Sequence, residues 1–182
     1  IRDRKKTVCV VSGGNVDVTT LSRIITKGLT LQGIDDNAVG VGVLLELAER
    51  LKNVSTHYGI RFIASSGEEE GNLGAQNILK RMSDAEKKNT LLVINLDNLV
   101  VGDKLYFNSG RSTPASIRKL TRDRALAIAR SKGIAAYTNP GLNHDYPQGT
   151  GCCNDASIFD SAGIPVLLSL IHISEPTRHL RI

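Results

Sequence analysis

Apolar and polar positions follow two distinct patterns along this 182-residue chain: short apolar runs, and longer segments with helical spacing. Short apolar runs with few charges are typical of strands that are buried on both faces of a parallel sheet. Such runs predict strands over residues 7–11, 60–65, 90–96 and 105–107, and a further strand that begins between Gly163 and Leu167.

Helices are predicted where apolar residues recur three and four positions apart. These segments cover residues 19–27, 37–52, 71–82, 113–132 and 154–162. The predicted apolar face of helix 37–52 comprises Val41, Leu44, Leu45, Ala48 and Leu51, and that of helix 71–82 comprises Leu73, Ile78 and Leu79. Because strands and helices alternate, we predict an α/β protein, a three-layer α/β/α domain with a mainly parallel central sheet.

Composition narrows the class of function only slightly. The apolar content of 41% suffices for one domain of this length, and the net charge of +5 is scattered, so we expect no nucleic acid partner. No apolar run approaches the roughly 20 residues of a membrane span, so we expect no membrane partner either. The chain begins at Ile1 without a signal peptide, and we expect it to be a fragment.

The chain contains three cysteines. Cys9 lies within an apolar run and is predicted to be a buried core residue. Cys152 and Cys153 are adjacent, and adjacent cysteines form only a strained disulfide bond. A vicinal bridge and two free thiols are equally consistent with the sequence.

Three acidic sites carry the candidate chemistry. Asp35 and Asp36 precede a predicted helix, whereas Glu68–Glu70 and Asp97 each follow a predicted strand. Residues just past the carboxyl ends of parallel strands share one crevice, so we predict that these carboxylates cluster there. Clustered carboxylates repel one another unless a cation lies among them. Each site alone would be typical of a helix start or a solvated turn, but the three in order predict a metal site.

Peptide hydrolysis gives such a site a chemical rationale. The reaction needs an activated water and a group that stabilises the oxyanion, and two zinc ions bridged by a carboxylate supply both. The adjacent pair Glu68 and Glu69 suits this chemistry, since one carboxylate can bind metal while its neighbour acts as a general base.

Four stretches resemble the motifs of the co-catalytic zinc aminopeptidases, a family whose relatives include glutamate carboxypeptidase and the transferrin receptor. They are Leu29–Ala38, Ser66–Gly71, Val93–Asn98 and Gly149–Asp155, and the resemblance spans residues 29–167. The resemblance implies the phosphorylase/hydrolase-like zinc exopeptidase fold and two Zn²⁺ ions in the complete family member. It also implies peptide substrates that lose their N-terminal residues, and a periplasmic or exported parent protein.

The resemblance also implies a role for each acidic residue. Asp35 would bridge the two metal ions, and Glu68 would be the general base. Glu69 would bind one zinc ion and Asp97 the other. The family has two further ligands, a His before the bridging Asp and a His well beyond the strand at Val166. No His precedes Asp35 in this chain.

The histidines that are present are poor candidates for those ligands. His57 and His144 lie in stretches typical of exposed loops. His172 and His179 lie within residues 168–182, which resemble a translated sequencing adapter. Ligands that are all carboxylates suit Mg²⁺ or Ca²⁺ better than zinc. We therefore expect weak or no zinc binding and an incomplete, inactive chain.

The N-terminal stretch resembles a different family. Val8–Asp17 followed by Leu21–Ile25 is similar to a late segment of the threonine dehydratases, which are pyridoxal-phosphate lyases. We therefore predict a foreign segment, a partial zinc aminopeptidase domain and an artefactual tail, over residues 1–28, 29–167 and 168–182. Both end segments are expected to pack poorly, although Thr7–Val11 has the composition to occupy a strand position.

Two alternative functions fit parts of the sequence. A receptor-like homologue of the same fold would bind a partner without catalysis, but the retention of all four acidic residues argues for an enzyme. A pyridoxal-phosphate lyase fragment is the third hypothesis, and the lysine motif that such an enzyme needs is absent from the sequence. The sequence favours metal-dependent removal of N-terminal residues from peptides.

Overall fold

The computed structural model describes residues 6–13, 39–68, 70–97, 99, 104–138 and 154–172, and of Gly13, Lys104 and residues 170–172 it describes the backbone alone. The strands within these ranges are β1 (Thr7–Gly13), β2 (Gly59–Ser65), β3 (Thr90–Asp97), β4 (Lys104–Ser109), β5 (Ala136–Tyr137) and β6 (Val166–His172). They form one six-stranded sheet in the spatial order β2-β1-β3-β6-β4-β5.

The sheet is mainly parallel, as predicted. Strands β2, β1, β3 and β6 all run in the same direction, so their carboxyl ends lie at one edge of the sheet, called the carboxyl edge below. Strand β4 is antiparallel to β6 and parallel to β5. The link of residues 98–103 between β3 and β4 is too short for a crossover connection, which takes about a dozen residues or more. The chain therefore reverses direction after β3.

The described helices are α1 (Gly40–Leu51), α2 (Leu73–Arg81), α3 (Asp84–Asn89), α4 (Ala115–Arg118), α5 (Arg124–Ser131) and α6 (Asp155–Ser161). A π-helical turn, Lys119–Asp123, joins α4 to α5, so residues 115–131 form the single long helix that was predicted. No helix in the described ranges is long and apolar enough to cross a membrane. The predicted helix 19–27 lies outside the described residues.

Helix α3 was missed because six residues are too few for an apolar period to show. Its start nevertheless carries a recognisable sequence signal. The Ser83 side chain accepts a hydrogen bond from the backbone N–H of Glu86, and the Glu86 side chain accepts one from the backbone N–H of Ser83. This reciprocal capping box satisfies two amide groups that the first helical turn would otherwise leave unpaired.

Helices cover both faces of the sheet. On one face, Cys9, Val11 and Val93 from the strands pack with Phe159 of α6 and Ala75 of α2 in one buried apolar cluster. On the opposite face, Val10, Leu44 and Leu96 form a second cluster, to which α1 contributes. Successive residues of a strand point to opposite faces, so the neighbours Val10 and Val11 belong to different clusters. The arrangement is the predicted three-layer α/β/α domain, and Cys9 is buried as expected.

Two predicted core positions were wrong. Leu45 of α1 is 49% exposed and Leu73 of α2 is 45% exposed. Helix α1 instead turns Val43, Leu44 and Leu47 toward the strands. Leu73 is the first residue of its helix and lies over the backbone of Gly67 rather than in the core. Helical spacing identifies an apolar stripe, but the docking angle of the helix decides which edge of that stripe is buried.

The described parts of both end segments pack more closely than expected. Strand β1 lies between β2 and β3, and its residues Cys9 and Val11 are 2% and 0% exposed. Strand β6 pairs with β3 and β4, and Leu168 is fully buried. Poor packing was therefore wrong for these strands, since an apolar run with good strand propensity satisfies a central position. The division of the chain into three segments of different origin stays a prediction.

Candidate active site at the carboxyl edge of the sheet

Glu68 lies on a tight turn between β2 and α2. Two backbone amides, those of Gly71 and Asn72, donate to the Glu68 carbonyl at 3.0 and 2.8 Å. Positive φ angles at Gly67, Gly71 and Asn72 (68°, 89° and 60°) let the chain fold back so closely. The half-buried Glu68 is thus held by backbone hydrogen bonds at the carboxyl edge.

Asp97 is the last residue of β3 and lies at the same edge. Val11 of β1 is paired with Ile63 on one side and with Asn95 on the other, so β2 and β3 are aligned across β1. Neighbouring strands are about 4.8 Å apart, which places β2 and β3 roughly 10 Å from each other. The structure therefore brings Glu68 and Asp97 to one edge of the sheet, as predicted.

The other two predicted site residues, Asp35 and Glu69, lie outside the described residues. Over the ranges that are described, no three His, Cys, Asp or Glu side chains come together as a group that could hold a metal ion. Glu68 and Asp97 alone do not make a zinc site, because zinc takes at least three protein ligands. The roles assigned to Asp35, Glu68, Glu69 and Asp97 remain predictions.

The histidines differ in their position relative to this edge. His57 is exposed and precedes β2, so it lies at the opposite edge of the sheet from Glu68, in agreement with the loop position that was predicted. Leu170 of β6 is paired with Asp97, and the backbone of His172 lies two residues further along the same strand. The sequence interpretation had discounted His172 as a ligand, and since the structure describes only its backbone, that prediction is untested. His144 and His179 lie outside the described residues.

A buried polar network that sequence analysis did not find lies beneath the edge. The hydroxyl of Ser65, the last residue of β2, contacts Oδ2 of Asp155 and lies 3.1 Å from the carbonyl oxygen of Ser12 in β1. The Ser12 hydroxyl donates to the carbonyl of Leu96 in β3 at 3.1 Å. The network joins the first residue of α6 to the carboxyl ends of β2, β1 and β3.

Asp155 is the most buried acidic residue that the structure describes, with 1% of its surface exposed. Burial raises the pKa of its carboxyl group, and the hydrogen bond with Ser65 opposes that rise. Among the residues that the structure describes, its buried Oδ1 atom has no hydrogen-bond partner, and the same holds for the Oδ1 atoms of Asn72 and Asn95. In the sequence, the only local sign of this contact is a serine at the end of an apolar run. Its partner cannot be found from nearby residues, because Ser65 and Asp155 are 90 residues apart.

Comparison with known proteins identifies the family. A profile of Peptidase family M28 matches residues 4–179, a range that extends into both end segments. The chain belongs to peptidase family M28. The match agrees with the resemblance that the acidic motifs carry.

Individual M28 relatives match parts of this chain. The alkaline phosphatase isozyme conversion protein of Escherichia coli K12 is 81% identical over 140 residues, which are 77% of this chain and 41% of that protein. Aminopeptidase YwaD of Bacillus subtilis is 42% identical over 65 residues, 36% of this chain and 14% of that protein. The M28 chain thus spans about two fifths of the length of its E. coli relative.

Solved structures of similar proteins share the fold. The zinc aminopeptidase BSAP of Bacillus subtilis matches 95% of this chain and 38% of its own with a TM-score of 0.68 at 23% identity. The aminopeptidase of Aneurinibacillus sp. strain AM-1 matches 98% of this chain and 38% of its own with a TM-score of 0.65 at 21% identity. The zinc aminopeptidase fold predicted for this M28 chain is confirmed.

Proposed function

We propose that this protein is a zinc-dependent peptidase that removes N-terminal residues from peptides, with Glu68 as its general base. Membership of peptidase family M28 supports peptidase activity, and the names of the relatives support aminopeptidase activity in particular. The observation that carries the proposal is the position of Glu68. Glu68 lies on a turn that backbone hydrogen bonds hold at the carboxyl edge, and Asp97 ends β3 at the same edge, with β1 between β2 and β3.

The proposed role of Glu68 is proton transfer. Its carboxylate accepts a proton from the attacking water and returns it to the amine that leaves the substrate, as a positioned carboxylate can do. The rigid turn limits the motion of the Glu68 backbone, which reduces the entropy lost in reaching the reactive geometry. We assign the metal to Asp35, Glu69 and Asp97, and zinc held there would supply Lewis acidity when bound.

Substitution of Glu68 distinguishes a general base from a metal ligand. In the full-length protein, Glu68→Gln should retain the zinc content of the unmodified enzyme and lose roughly 10²–10⁴-fold in kcat, the usual contribution of a general base. Glu70→Gln is the matched control, since Glu70 is exposed in the same turn and is expected to leave kcat unchanged. The assay follows hydrolysis of aminoacyl p-nitroanilides before and after chelation and zinc readdition. Full activity in Glu68→Gln would refute the assigned base.

We also propose that the 182-residue chain alone holds zinc weakly and turns over slowly. Its assigned ligands are all carboxylates, and oxygen-only sites favour harder cations than zinc. Zinc titration against a chromophoric chelator should show weaker binding than in a full-length M28 aminopeptidase measured alongside. Tight binding of two ions with robust chelator-sensitive turnover would contradict this proposal. A full-length protein that binds zinc and is inert would favour the receptor-like alternative.

A periplasmic or exported location remains a proposal that rests on the family resemblance. Peptides are the proposed substrates.

A further inference from the structure

Asp155 has a structural setting unlike that of an ordinary helix-capping aspartate. Asn154 already caps α6, because its Oδ1 accepts a hydrogen bond from the backbone N–H of Ser157 at 3.2 Å. Asp155 is therefore not needed as the cap, and its side chain is directed toward Ser65 instead. Both side chains are buried, with 1% and 6% of their surfaces exposed.

The hydrogens available to this pair indicate the protonation state of Asp155. The Ser65 hydroxyl has one hydrogen and two oxygen neighbours, Asp155 Oδ2 and the Ser12 carbonyl, and a carbonyl can only accept. If Asp155 were ionised, one of these two contacts would have no hydrogen between its oxygens. A protonated Asp155 donates to Ser65, and Ser65 then donates to Ser12, so that each contact has its own hydrogen.

The unpaired oxygen of Asp155 leads to the same conclusion. Oδ1 is buried with no hydrogen-bond partner in the described part of the chain, and burying an unpaired oxygen costs far more when it carries part of a negative charge. The position of Asp155 at the start of α6 favours the ionised form through the helix dipole, but burial dominates and raises the pKa.

Within the described ranges, no positively charged side chain stabilises an ionised Asp155. Helix α6 packs against α2, β1, β3 and β6. The titratable residues on those elements, and on β2, which ends at Ser65, are Lys80 and Arg81 of α2, Cys9 of β1, Arg61 of β2, Asp97 of β3 and His172 of β6, and α6 itself carries Asp160. The causes of the pKa shift of Asp155 are burial and the Ser65 hydrogen bond, with no contribution from a cation.

We propose that Asp155 is a positioning residue that stays a neutral carboxylic acid, donates a hydrogen bond to the Ser65 hydroxyl, and thereby fixes the end of β2 from which the Glu68 turn departs. Ser65 is three residues before Glu68, and the next residue, Ser66, accepts a hydrogen bond from the backbone N–H of Gly74 at 2.8 Å. Holding Ser65 therefore holds the first residue of the turn. The effect on catalysis rests on the function proposed above.

Carbon-13 NMR of the Asp155 carboxyl group in the folded wild-type chain measures its protonation state directly. Aspartate in an unfolded peptide titrates at about 3.9, whereas we expect the midpoint of Asp155 to lie above the pH of the kinetic assay. A midpoint at or below that pH would overturn the proposal, and this measurement requires neither zinc nor activity.

The stability of the fold should also depend on whether Asp155 is protonated. The folded state holds a proton that the unfolded state releases, so the wild type loses stability as pH rises from about 4 through the folded pKa. Asp155→Asn cannot ionise, and its Tm relative to the wild type should therefore rise over the same pH range. Parallel Tm profiles for the two proteins would contradict a raised pKa at this site.

A matched pair of substitutions in α6 distinguishes the neutral acid from a carboxylate. The amide of Asp155→Asn can donate to Ser65, so its Tm near pH 7 should stay within about 2 °C of the wild type. Asp160 accepts from two backbone amides, those of Arg111 and Ser112, each at 2.9 Å. In Asp160→Asn, a side-chain NH₂ group replaces one of the two acceptor oxygens and faces a backbone N–H, so two donors meet. This variant should lower Tm by roughly 4–10 °C. The reverse order of the two Tm values would refute the proposal.

Kinetics in the complete enzyme tests the positioning role. Asp155→Asn should keep kcat within about threefold of the wild type, whereas Asp155→Ala should lose about tenfold or more in kcat with little change in KM, since small misplacements are costly in rate. Asp155→Leu fills a similar volume but cannot donate to Ser65, so it should lose kcat as Asp155→Ala does, and a kcat equal to that of Asp155→Asn would show that packing alone suffices. Equal kcat in wild type and Asp155→Ala would overturn the positioning role. An inert wild-type enzyme would instead refute the proposed function, and the carboxyl titration would then decide the protonation state.

Discussion

The carboxylate of Asp160 occupies the space that a side chain at Gly110 would require. Oδ2 of Asp160 accepts from the backbone N–H of Arg111 and Oδ1 from that of Ser112, both at 2.9 Å. The Ser112 hydroxyl donates to the Asp160 carbonyl at 2.8 Å. These bonds anchor the end of α6 to the turn after β4, and they are possible because residue 110 has no side chain.

Gly110→Ala should therefore destabilise the fold. The added methyl group would collide with the Asp160 carboxylate and would lie 2.5 Å from Cγ2 of Val166. Overpacking a closed site of this kind costs about 1–3 kcal/mol in the free energy of unfolding. Urea unfolding measures the loss. Gly42→Ala in α1 is the control, because its methyl group meets no atom within 4 Å and a helical Gly→Ala change stabilises by up to about 1 kcal/mol. Equal unfolding midpoints for the two variants would contradict the prediction.

Gly74→Ala should distort the Glu68 turn. A methyl group there would lie 2.6 Å from the Ser66 carbonyl oxygen and 2.7 Å from the Ser66 nitrogen, and backbone atoms cannot move away without opening the turn. We expect a loss of about 1–3 kcal/mol in stability and a clear fall in kcat of the complete enzyme. Circular dichroism reports the folded fraction, and initial rates report kcat per folded molecule. Unchanged kcat in a folded variant would show that the turn does not position the base.

Acid should weaken the contact of α3 with β2 through Glu86. The backbone N–H of Ser83, the Arg61 guanidinium and the Ser83 hydroxyl stabilise its carboxylate and lower the pKa of Glu86 to about 2. Because the folded pKa lies below the unfolded one, this contribution is present at neutral pH and is lost as pH falls from about 4.3 toward 2. Glu86→Gln should therefore show a shallower decline of Tm over that range. Identical declines in the variant and the wild type would count against the assignment.

Phe159 is the largest fully buried side chain among the described residues, and truncating it should lower stability strongly. It belongs to the apolar cluster between the sheet and α6, whose members come from four strands and two helices. Phe159→Ala should lose about 3–5 kcal/mol in the free energy of unfolding. Leu120→Ala is the control, since Leu120 is 69% exposed and substitutions at such sites stay within about 0.5 kcal/mol. A similar loss in both variants would mean that the cluster does not stabilise the fold.

Strands and helices with clear local patterns were predicted well. The apolar runs at residues 60–65 and 90–96 became β2 and β3 with nearly unchanged bounds, and the long helix over residues 115–131 formed as expected. Such patterns predict secondary structure because the spacing of apolar residues depends only on residues a few positions apart. The capping box at Ser83 also depends on residues close in sequence, but its helix is too short to show a periodic pattern of apolar residues.

The candidate site was predicted in part. Glu68 and Asp97 lie at the carboxyl edge because residues that follow parallel strands must emerge at one edge of the sheet. Ser65 was not identified, since a serine at the end of an apolar run has many structural uses and nothing nearby indicates its partner. The exposure of Leu45 was missed for a related reason, because the docking of α1 depends on strands elsewhere in the chain.

The sequence by itself determined the class of fold, the peptidase family and the edge on which the described acidic residues lie, because these depend on local periodicity and on motifs of a few residues. Only the tertiary structure decided that β1 and β6 occupy interior positions of the sheet, that β4 reverses direction, and that Asp155 meets Ser65. Each of these is a pairing between distant segments. The energy of such a pairing comes from burial and hydrogen bonding that neither segment has alone, so neither segment's local pattern can reveal its partner.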